Sequence, residues 1–584
     1  MTLPRFTVSL RFAHFSLICI GLMWVLPFLD YRHVSPLTTF REDWLALACG
    51  LAALSLLATR RFWQQPEIPR IAWLPFGLLL LVWLQYLLGM LPYYGQALLV
   101  SEHLLWAALL IVLGRQLREQ LGLSTLTVAL AAFLLLGAGL GAMIGVLQYF
   151  EWHTIFDWVI LPKPESGIIY GNMGQPNHYG SYTMLGLISL GFLSMRGRAP
   201  IWQTALLAVP LLFAAAASGS RTTGLYLLCL PVFTWLWQRR DAALRPLFYY
   251  TLALLAGYIL MSVLLFELGG VSVAERFFGA GAMSARVRLL LWHEAWQIFL
   301  QHPLLGAGFG QFGWQHYLLG SVTRDVSLTG LYDNCHNLVM QTAAEMGLAG
   351  LLLLIGTLAL WIRQFMRAAP SAHGWWGCAV LLMIGTHSLL EYPLWYAFWI
   401  GIAALLLGML DTTAYRPKPS RTGPWTIAVL LLSGIVTLAQ MGVEYSKLER
   451  EAAIPLFARG KRIGIEEATR WPLLRPYADM IKANVFWVTP DSIEEQLALV
   501  KNSLHFWPSG VAAYRHALLL ALQNRPDEAK IRMEQAIWAA PYLFPQIQKD
   551  LESWVQKDPS HCAALLEFAL QKYEEHQRAA TSAK

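Results

Sequence analysis

Long runs of apolar residues constrain this chain more than any other feature. A helix needs about 20 apolar residues to cross the hydrocarbon core of a bilayer. The clearest runs of that length span 12–29, 71–90, 126–150 and 247–266. Weaker ones span 44–58, 97–114, 177–195, 201–217, 222–237, 338–361, 374–388, 393–410 and 425–441. The sequence therefore predicts an all-α, polytopic membrane protein with about thirteen transmembrane helices.

The charged residues indicate how these helices are oriented. The net charge is +7, but the basic residues are scattered between apolar segments and form no stripe, which argues against nucleic acid as a partner. With a cytoplasmic N-terminus, most basic pairs fall in cytoplasmic loops, as the positive-inside rule requires. The first run, 12–29, has no small-residue cleavage site and is interpreted as a first membrane span, not a removable signal. The long segment 267–337 and everything after residue 441 are then expected outside the cytoplasm.

The chain becomes polar and helix-forming beyond residue 441. We therefore divide it into a membrane domain, 1–441, and a separate helical domain, 442–584. Within the latter, 508–541 has the small residues, the terminal proline and nearly the period of a tetratricopeptide helix pair. An irregular helical domain without true repeats is an equal alternative.

Unusual polar residues cluster at the predicted outer ends of spans. Gln175 and Asn177 stand where an outer loop opens a helix, and Arg221 occupies a short outer connection. Arg286 and Arg288 lie in the long outer segment. Because guanidinium groups bind phosphate oxygens with paired donors, these arginines are candidates to neutralise a lipid diphosphate. Each taken alone is equally compatible with an ordinary solvated or headgroup contact.

Two further clusters suggest acid–base and sugar-binding chemistry. His336, followed by Asn337, precedes a span, and a histidine can accept a hydroxyl proton near neutral pH. Glu391 and Tyr392 lie on another outer turn beside aromatic residues, where a carboxylate and a phenol could bind sugar. The six cysteines show no CxxC or zinc spacing, so neither a disulfide framework nor a metal site is expected.

Together these residues resemble the O-antigen ligase superfamily, and within it the PglL-type protein O-oligosaccharyltransferases that glycosylate pilin and other periplasmic proteins. The resemblance rests on short motifs that occur in order along most of the chain. They are Gly174-Gln175-x-Asn177, Ser220-Arg221-Thr222, Arg288 four residues before Trp292, Pro303-Leu304-Leu305-Gly306-x-Gly308, His336-Asn337 with Ala344-Glu345-Met346-Gly347, and the stretch from His387 to Tyr396.

The resemblance implies a GT-C-like architecture, a periplasmic active site and an undecaprenyl-diphosphate-linked oligosaccharide as donor, with no metal ion or cofactor. It makes His336 the essential loop histidine and Arg221 and Arg288 the residues that engage the diphosphate. Gln175 and Tyr392 match positions needed for transfer. Pro176 departs from the basic residue of one branch of pilin ligases, which leaves the preferred glycan open.

The expected reaction is an inverting transfer to a Ser or Thr hydroxyl of an acceptor protein such as pilin. The nearest alternative is a lipopolysaccharide O-antigen ligase or an O-antigen polymerase, which would differ in acceptor. A transporter of lipid-linked glycan is a third possibility. It predicts mid-membrane charges and a repeat relation between the two halves of the chain, and the sequence displays neither.

Overall fold

The computed structural model describes residues 6–165, 167–267, 280–328, 330–453 and 470–582. Helices account for nearly all regular structure there, and a two-residue antiparallel pairing joins β1, Ile68–Pro69, to β2, Ala414–Tyr415. The helices of the first part are α1 Phe6–Met23, α2 Phe40–Ala53, α3 Trp73–Leu87, α4 Tyr94–Leu121, α5 Leu123–Tyr149, α6 Pro176–Gly197, α7 Ile201–Ala217, α8 Arg221–Gln238 and α9 Arg245–Glu267. Those that follow are α10 Ala280–Gln301, α11 Phe312–Thr323, α12 Leu338–Phe365, α13 Ala372–Ser388, α14 Ala397–Leu410 and α15 Gly423–Ala452. The C-terminal helices are α16 Arg475–Val485, α17 Ile493–Phe506, α18 Gly510–Leu522, α19 Pro526–Ala539, α20 Phe544–Lys557 and α21 Pro559–Ser582.

Every apolar run predicted to span the membrane overlaps a helix. Seven helical segments among the described residues are long and apolar enough to cross a bilayer: Leu10–Leu29, Arg70–Leu87, Tyr94–Leu121, Leu123–Tyr149, Ala242–Glu267, Leu338–Phe365 and Gly423–Ala452. The prediction of an all-α, multi-pass membrane protein is confirmed. The other runs lie on α2, α6, α7, α8, α13 and α14, which are shorter or more polar, so their crossing of the bilayer stays a prediction.

The predicted outer segment 267–337 is largely helical where it is described. It contains α10 and α11, while 268–279 lies outside the described residues. Helices α18 and α19 lie within 508–541, and their assignment as a tetratricopeptide pair stays a prediction.

The chain divides into two compact units, each assembled from separated segments. The first unit comprises Met1–Gly77, His103–Ser284 and Leu354–Gln440. The second comprises Leu78–Glu102, Ala285–Leu353 and Met441–Lys584. The C-terminal helices thus belong to the same unit as α11 and most of α10.

In the first unit, α5 and α6 approach closely because glycines on α5 make room for tyrosines on α6. A Cβ atom added at Gly145 would lie 2.0 Å from the Tyr179 hydroxyl, and one at Gly137 would lie 2.0 Å from that of Tyr182. The Tyr179 hydroxyl instead donates to the Gly141 carbonyl at 3.1 Å. Small residues that allow such close packing are the common device of helices in lipid. This packing sets the position of the N-terminal end of α6.

In the second unit, the C-terminal helices share a hydrophobic core with α11. Trp314 and Tyr317 of α11 are buried among residues of α17 to α21. Arg324, at the end of α11, forms an ion pair with Glu534 of α19. The segment 312–324 therefore packs as part of the C-terminal helical layer.

Helix α12 is broken at Gly347, where φ is +61° and ψ is −156°. Across this break, the amides of Leu348 and Ala349 donate to the carbonyls of Pro303 and Leu304 at 2.8 and 3.1 Å. In return, the amides of Ala307 and Gly308 donate to the carbonyls of Ala344 and Glu345 at 2.8 and 3.0 Å. A further donor to the Glu345 carbonyl is the Gln85 side chain, at 2.8 Å.

This exchange replaces the intrahelical bonds that the break removes. Unsatisfied backbone groups are costly within a membrane, and irregular backbone persists there only when protein partners supply new bonds. The Pro303–Gly308 and Ala344–Gly347 motifs thus form one structural feature, in which each segment supplies hydrogen-bond partners for the other.

We predict that Gly347→Ala destabilises the protein. Its backbone conformation is essentially restricted to glycine, which costs other residues about 1–3 kcal/mol, and the added Cβ would lie 2.6 Å from the Leu304 backbone. Thermal unfolding of the purified protein should occur at a lower temperature. The matched control is Gly356→Ala on the same helix, where a Cβ meets nothing within 4 Å, and it should leave stability unchanged or slightly raised. Equal melting temperatures for the two variants would contradict the role given to Gly347.

Candidate active site

The candidate residues fall into two sets, one in each unit. Gln175, Asn177, Arg221, Glu391 and Tyr392 belong to the first unit. Arg286, Arg288, His336 and Asn337 belong to the second.

In the first unit, two buried amide side chains hold the loop that leads into α6. The Gln148 carbonyl oxygen accepts from the amides of Tyr170 and Gly171, both at 3.1 Å. The Asn172 amide donates to the carbonyls of Leu29 and Val159 at 2.9 and 2.8 Å. The loop is therefore fixed by side chains before α6 begins.

Gln175 is the N-cap of α6. Its side-chain oxygen accepts from the His178 backbone N–H, which satisfies one of the amide groups left open at a helix start. Pro176 takes the first helical position, where its missing N–H carries no cost. The capping bond uses only the oxygen of Gln175, and its NH₂ group has two further donor hydrogens.

Asn177 connects the three elements that carry the other candidates of this unit. Its Nδ2 donates to Glu391 Oε1 at 2.8 Å, and its Oδ1 accepts from Ser220 Oγ at 2.7 Å. Ser220 immediately precedes Arg221, and Glu391 immediately precedes Tyr392. One amide therefore sets the spacing between the start of α6, the start of α8 and the turn after α13.

Arg221 and Tyr392 are each partly exposed beside this junction. Arg221 is the first residue of α8, so its cationic group is attached at a helix N-terminus, where the backbone also favours anions. The Tyr392 ring lies 5.7 Å from that of Tyr396. Glu391 is buried, with 5% of its surface exposed. These residues supply a guanidinium group, a phenol and a carboxylate that accepts a hydrogen bond from a side-chain amide. Such groups can bind phosphate and sugar.

His33 contacts the loop that leads into α6. Its Nε2 lies 2.6 Å from the Asn172 carbonyl oxygen, and its Nδ1 lies 3.0 Å from Glu42 Oε1 and 3.2 Å from the Thr38 carbonyl oxygen. Both ring nitrogens thus face hydrogen-bond acceptors. Only the doubly protonated imidazolium has an N–H donor on each nitrogen to bind them. Burial alone would lower the His33 pKa, but the hydrogen bond and charge of Glu42 outweigh it and raise the pKa to about 9.

In the second unit, His336 has a left-handed backbone, with φ at +54°. Its N–H donates to Asn334 Oδ1 at 3.1 Å, and the neighbouring Cys335 N–H donates to Gln341 Oε1 at 2.8 Å. The Trp292 indole donates to the Cys335 carbonyl at 2.9 Å. Such backbone strain in a non-glycine residue persists only where the surroundings hold it, as at functional sites.

Asn337 is held as the cap of α12. Its Oδ1 accepts from the amides of Val339 and Met340 at 3.0 and 3.1 Å. Gln341, which binds the Cys335 amide, also donates to Glu345 Oε1 at 2.9 Å. The turn that carries His336 is thus connected to the helix segment just before the break at Gly347.

The two arginines of α10 differ in their surroundings. Arg286 has 62% of its side chain exposed and lies 3.9 Å from Asp325. Arg288 is partly buried, and it lies on the same helix as Trp292, which binds the Cys335 carbonyl. Arg288 is therefore the less exposed of the two side chains.

Sequence reasoning missed His33, Gln148 and Asn172 in the first unit and Gln85 and Gln341 in the second. Gln148 and Gln85 interrupt the apolar runs 126–150 and 71–90, and polar residues inside such runs are a detectable signal. His33 carries no comparable signal, because it lies between the apolar runs 12–29 and 44–58 and interrupts neither.

We predict that the His33 contact makes stability depend on pH. Because the folded-state pKa lies above the ordinary value of 6.5, the contribution of the imidazolium is complete below pH 6.5 and is lost as the pH rises through about 9. We expect about 1–2 kcal/mol, allowing for partial solvent exposure. Between pH 6 and 10, the melting temperature of the native protein should fall more steeply than that of His33→Gln. Parallel curves of melting temperature against pH for these two proteins would contradict the assignment. The variant His302→Gln, at an exposed histidine, is the control.

Comparisons with known proteins agree on the class of this chain. Family models match three successive stretches: protein glycosylation ligase at residues 169–193, O-antigen ligase at 206–355, and the C-terminal part of virulence factor membrane-bound polymerases at 375–557. A general O-oligosaccharyltransferase of Acinetobacter baylyi is 25% identical over 92% of this chain and 94% of its own length. A ComP-specific O-oligosaccharyltransferase of the same organism is 20% identical over 63% of this chain and 66% of its own. Separate stretches of the chain are therefore similar to protein glycosylation ligases and O-antigen ligases, and the protein is a membrane enzyme of the glycosyltransferase type.

Proposed function

We propose that this enzyme transfers a preassembled oligosaccharide from undecaprenyl diphosphate to Ser or Thr hydroxyls of periplasmic proteins such as pilin. It would act at the outer face of the bacterial inner membrane. The observation that carries the proposal is the turn at His336, which has a strained backbone. The Asn334 and Gln341 side chains accept hydrogen bonds from the N–H groups of His336 and Cys335, and the Trp292 indole donates to the Cys335 carbonyl.

In the proposed step, the acceptor hydroxyl oxygen attacks the anomeric carbon of the first sugar from the side opposite the diphosphate. The bond between that carbon and the phosphate oxygen breaks, and the lipid diphosphate leaves with the electron pair. His336 accepts the hydroxyl proton, so the product is a glycosidic bond of inverted configuration. No metal ion takes part.

Arg221 and Arg288 are proposed to stabilise the charge that develops on the leaving diphosphate. Arginine offers paired donors that match phosphate oxygens, and such stabilisation is most effective in a water-poor site. Arg221 is supported by its place at the start of α8, beside the junction formed by Asn177.

The remaining candidates are proposed to bind the donor. Arg286, Asn337, Gln175, Asn177, Glu391 and Tyr392 supply groups for the sugar and the diphosphate. Of these, Asn177 and Glu391 act mainly by fixing geometry, since each is engaged by the other.

A protein acceptor is favoured by the relative that matches along most of this chain, which is named for O-oligosaccharyl transfer. The O-antigen ligase model at 206–355 supports a second candidate, transfer to a lipid acceptor. Reconstitution of the purified enzyme with the lipid-linked glycan and either pilin or lipid A core distinguishes them. We expect pilin to gain the mass of the glycan. Mass gained only by lipid A core would overturn the proposed acceptor and leave the transfer chemistry in place.

We predict that His336→Asn lowers the transfer rate by about 10²- to 10⁴-fold, the usual contribution of a general base. Asparagine tolerates a positive φ, so this change removes the base while keeping the backbone turn. The reconstituted assay measures the rate, and thermal unfolding verifies that the fold is retained. The exposed control His302→Asn should transfer at the native rate. Native activity in a folded His336→Asn protein would remove His336 from the mechanism.

A further inference from the structure

Three large aromatic side chains recur at equivalent places in the C-terminal helices. Trp471-Pro472, Trp507-Pro508 and Pro541-Tyr542 precede α16, α18 and α20, and the aromatic residues are 36 and 35 residues apart. Their exposed fractions are 43%, 42% and 70%. Exposed Trp and Tyr at a regular spacing are not needed for the helical core. We call Trp471, Trp507 and Tyr542 the aromatic edge.

The three connections lie next to one another. The ring of Tyr477, at the start of α16, lies 5.1 Å from that of Phe506, at the end of α17. A Cβ added at Gly510, the first residue of α18, would lie 2.6 Å from the Leu543 side chain and 2.7 Å from that of Ala540. The aromatic edge is therefore one continuous border of the helical layer.

Two of the connections contact the short link between α3 and α4. Gly95 approaches the Pro472 carbonyl so closely that no Cβ could be accommodated. The Tyr93 ring lies 5.8 Å from that of Phe506, and its hydroxyl donates to Asp479 at 3.1 Å. All of these residues belong to the second unit.

The apolar helices on either side of that link indicate that it lies at the surface of the membrane. The helical segments on either side, Arg70–Leu87 and Tyr94–Leu121, are each long and apolar enough to cross a bilayer. The link itself is only a few residues long and must turn where the hydrocarbon core ends. The connections that touch it are thus at the level of the lipid headgroups.

We propose that the aromatic edge inserts into the headgroup layer and anchors the C-terminal helices to the membrane surface. Trp and Tyr favour this layer because their rings are apolar and their N–H and O–H groups find polar partners there. The anchor acts independently of the proposed reaction and would hold the helical layer at a constant height above the bilayer.

The chain supplies a matched control in Trp487. It is 63% exposed but lies in the α16–α17 connection, at the opposite end of both helices. With about 1.5 Å of rise per residue, the length of α16 separates it from the aromatic edge by roughly 16 Å. A lipid anchor should engage the edge and leave Trp487 in water.

Spin labels attached to single cysteines test the proposal on the full-length protein. Trp471→Cys, Trp507→Cys, Tyr542→Cys and Trp487→Cys are labelled in turn and placed in nanodiscs of phosphatidylethanolamine and phosphatidylglycerol. Unsubstituted protein is labelled as the background, and thermal unfolding verifies that each variant is folded. We expect collisions with oxygen relative to a water-soluble nickel chelate to be several-fold higher at the three edge positions than at 487.

Equal, water-like accessibility at all four positions would overturn the proposal. So would edge labels that are water-accessible in nanodiscs and become shielded only when lipid-linked glycan or acceptor protein is added, since the edge would then bind one of those partners instead. Shielding at the three edge positions in nanodiscs alone supports the anchor.

Discussion

The requirement that every backbone polar group find a partner in a membrane governs the second unit. Gly347 interrupts α12. The segment 303–308 replaces the lost hydrogen bonds, because its amides and carbonyls bind those of residues on both sides of the break. This exchange joins the segment that follows α10 to the helix that begins after His336. The position of the candidate base relative to α10, and so to Arg288, rests on that junction and on the bond from Trp292 to Cys335.

The first unit solves a related problem with side chains. Asn177 satisfies the buried Glu391 carboxylate and the Ser220 hydroxyl together, so the elements bearing Arg221 and Tyr392 are held by one residue. Behind it, Gln148, Asn172 and His33 bind mainly backbone groups of the preceding loop. A buried polar network of this kind is stable only when its members are satisfied, and it then fixes a single geometry.

Much of the fold and part of the site could be predicted from the sequence. The apolar runs located the helices because span length follows directly from bilayer thickness. Asn177 and Glu391 were identified as candidates, and they are bonded to each other. The hydrogen bond between them could not be predicted, because the two residues are 214 positions apart in the chain. Gln175 was considered for binding, and the structure adds its bond to the start of α6.

The sequence by itself determined that this is a multi-pass helical membrane protein with cationic, amide and imidazole groups near helix ends, because hydropathy and residue chemistry are local properties. Tertiary structure alone decided that α12 breaks at Gly347 and is repaired by a distant loop, and that α11 packs into the C-terminal helices. It also decided that His336 adopts a left-handed backbone. Each of these depends on hydrogen bonds or packing between residues far apart in the chain. Such residues come into contact only when the chain has folded.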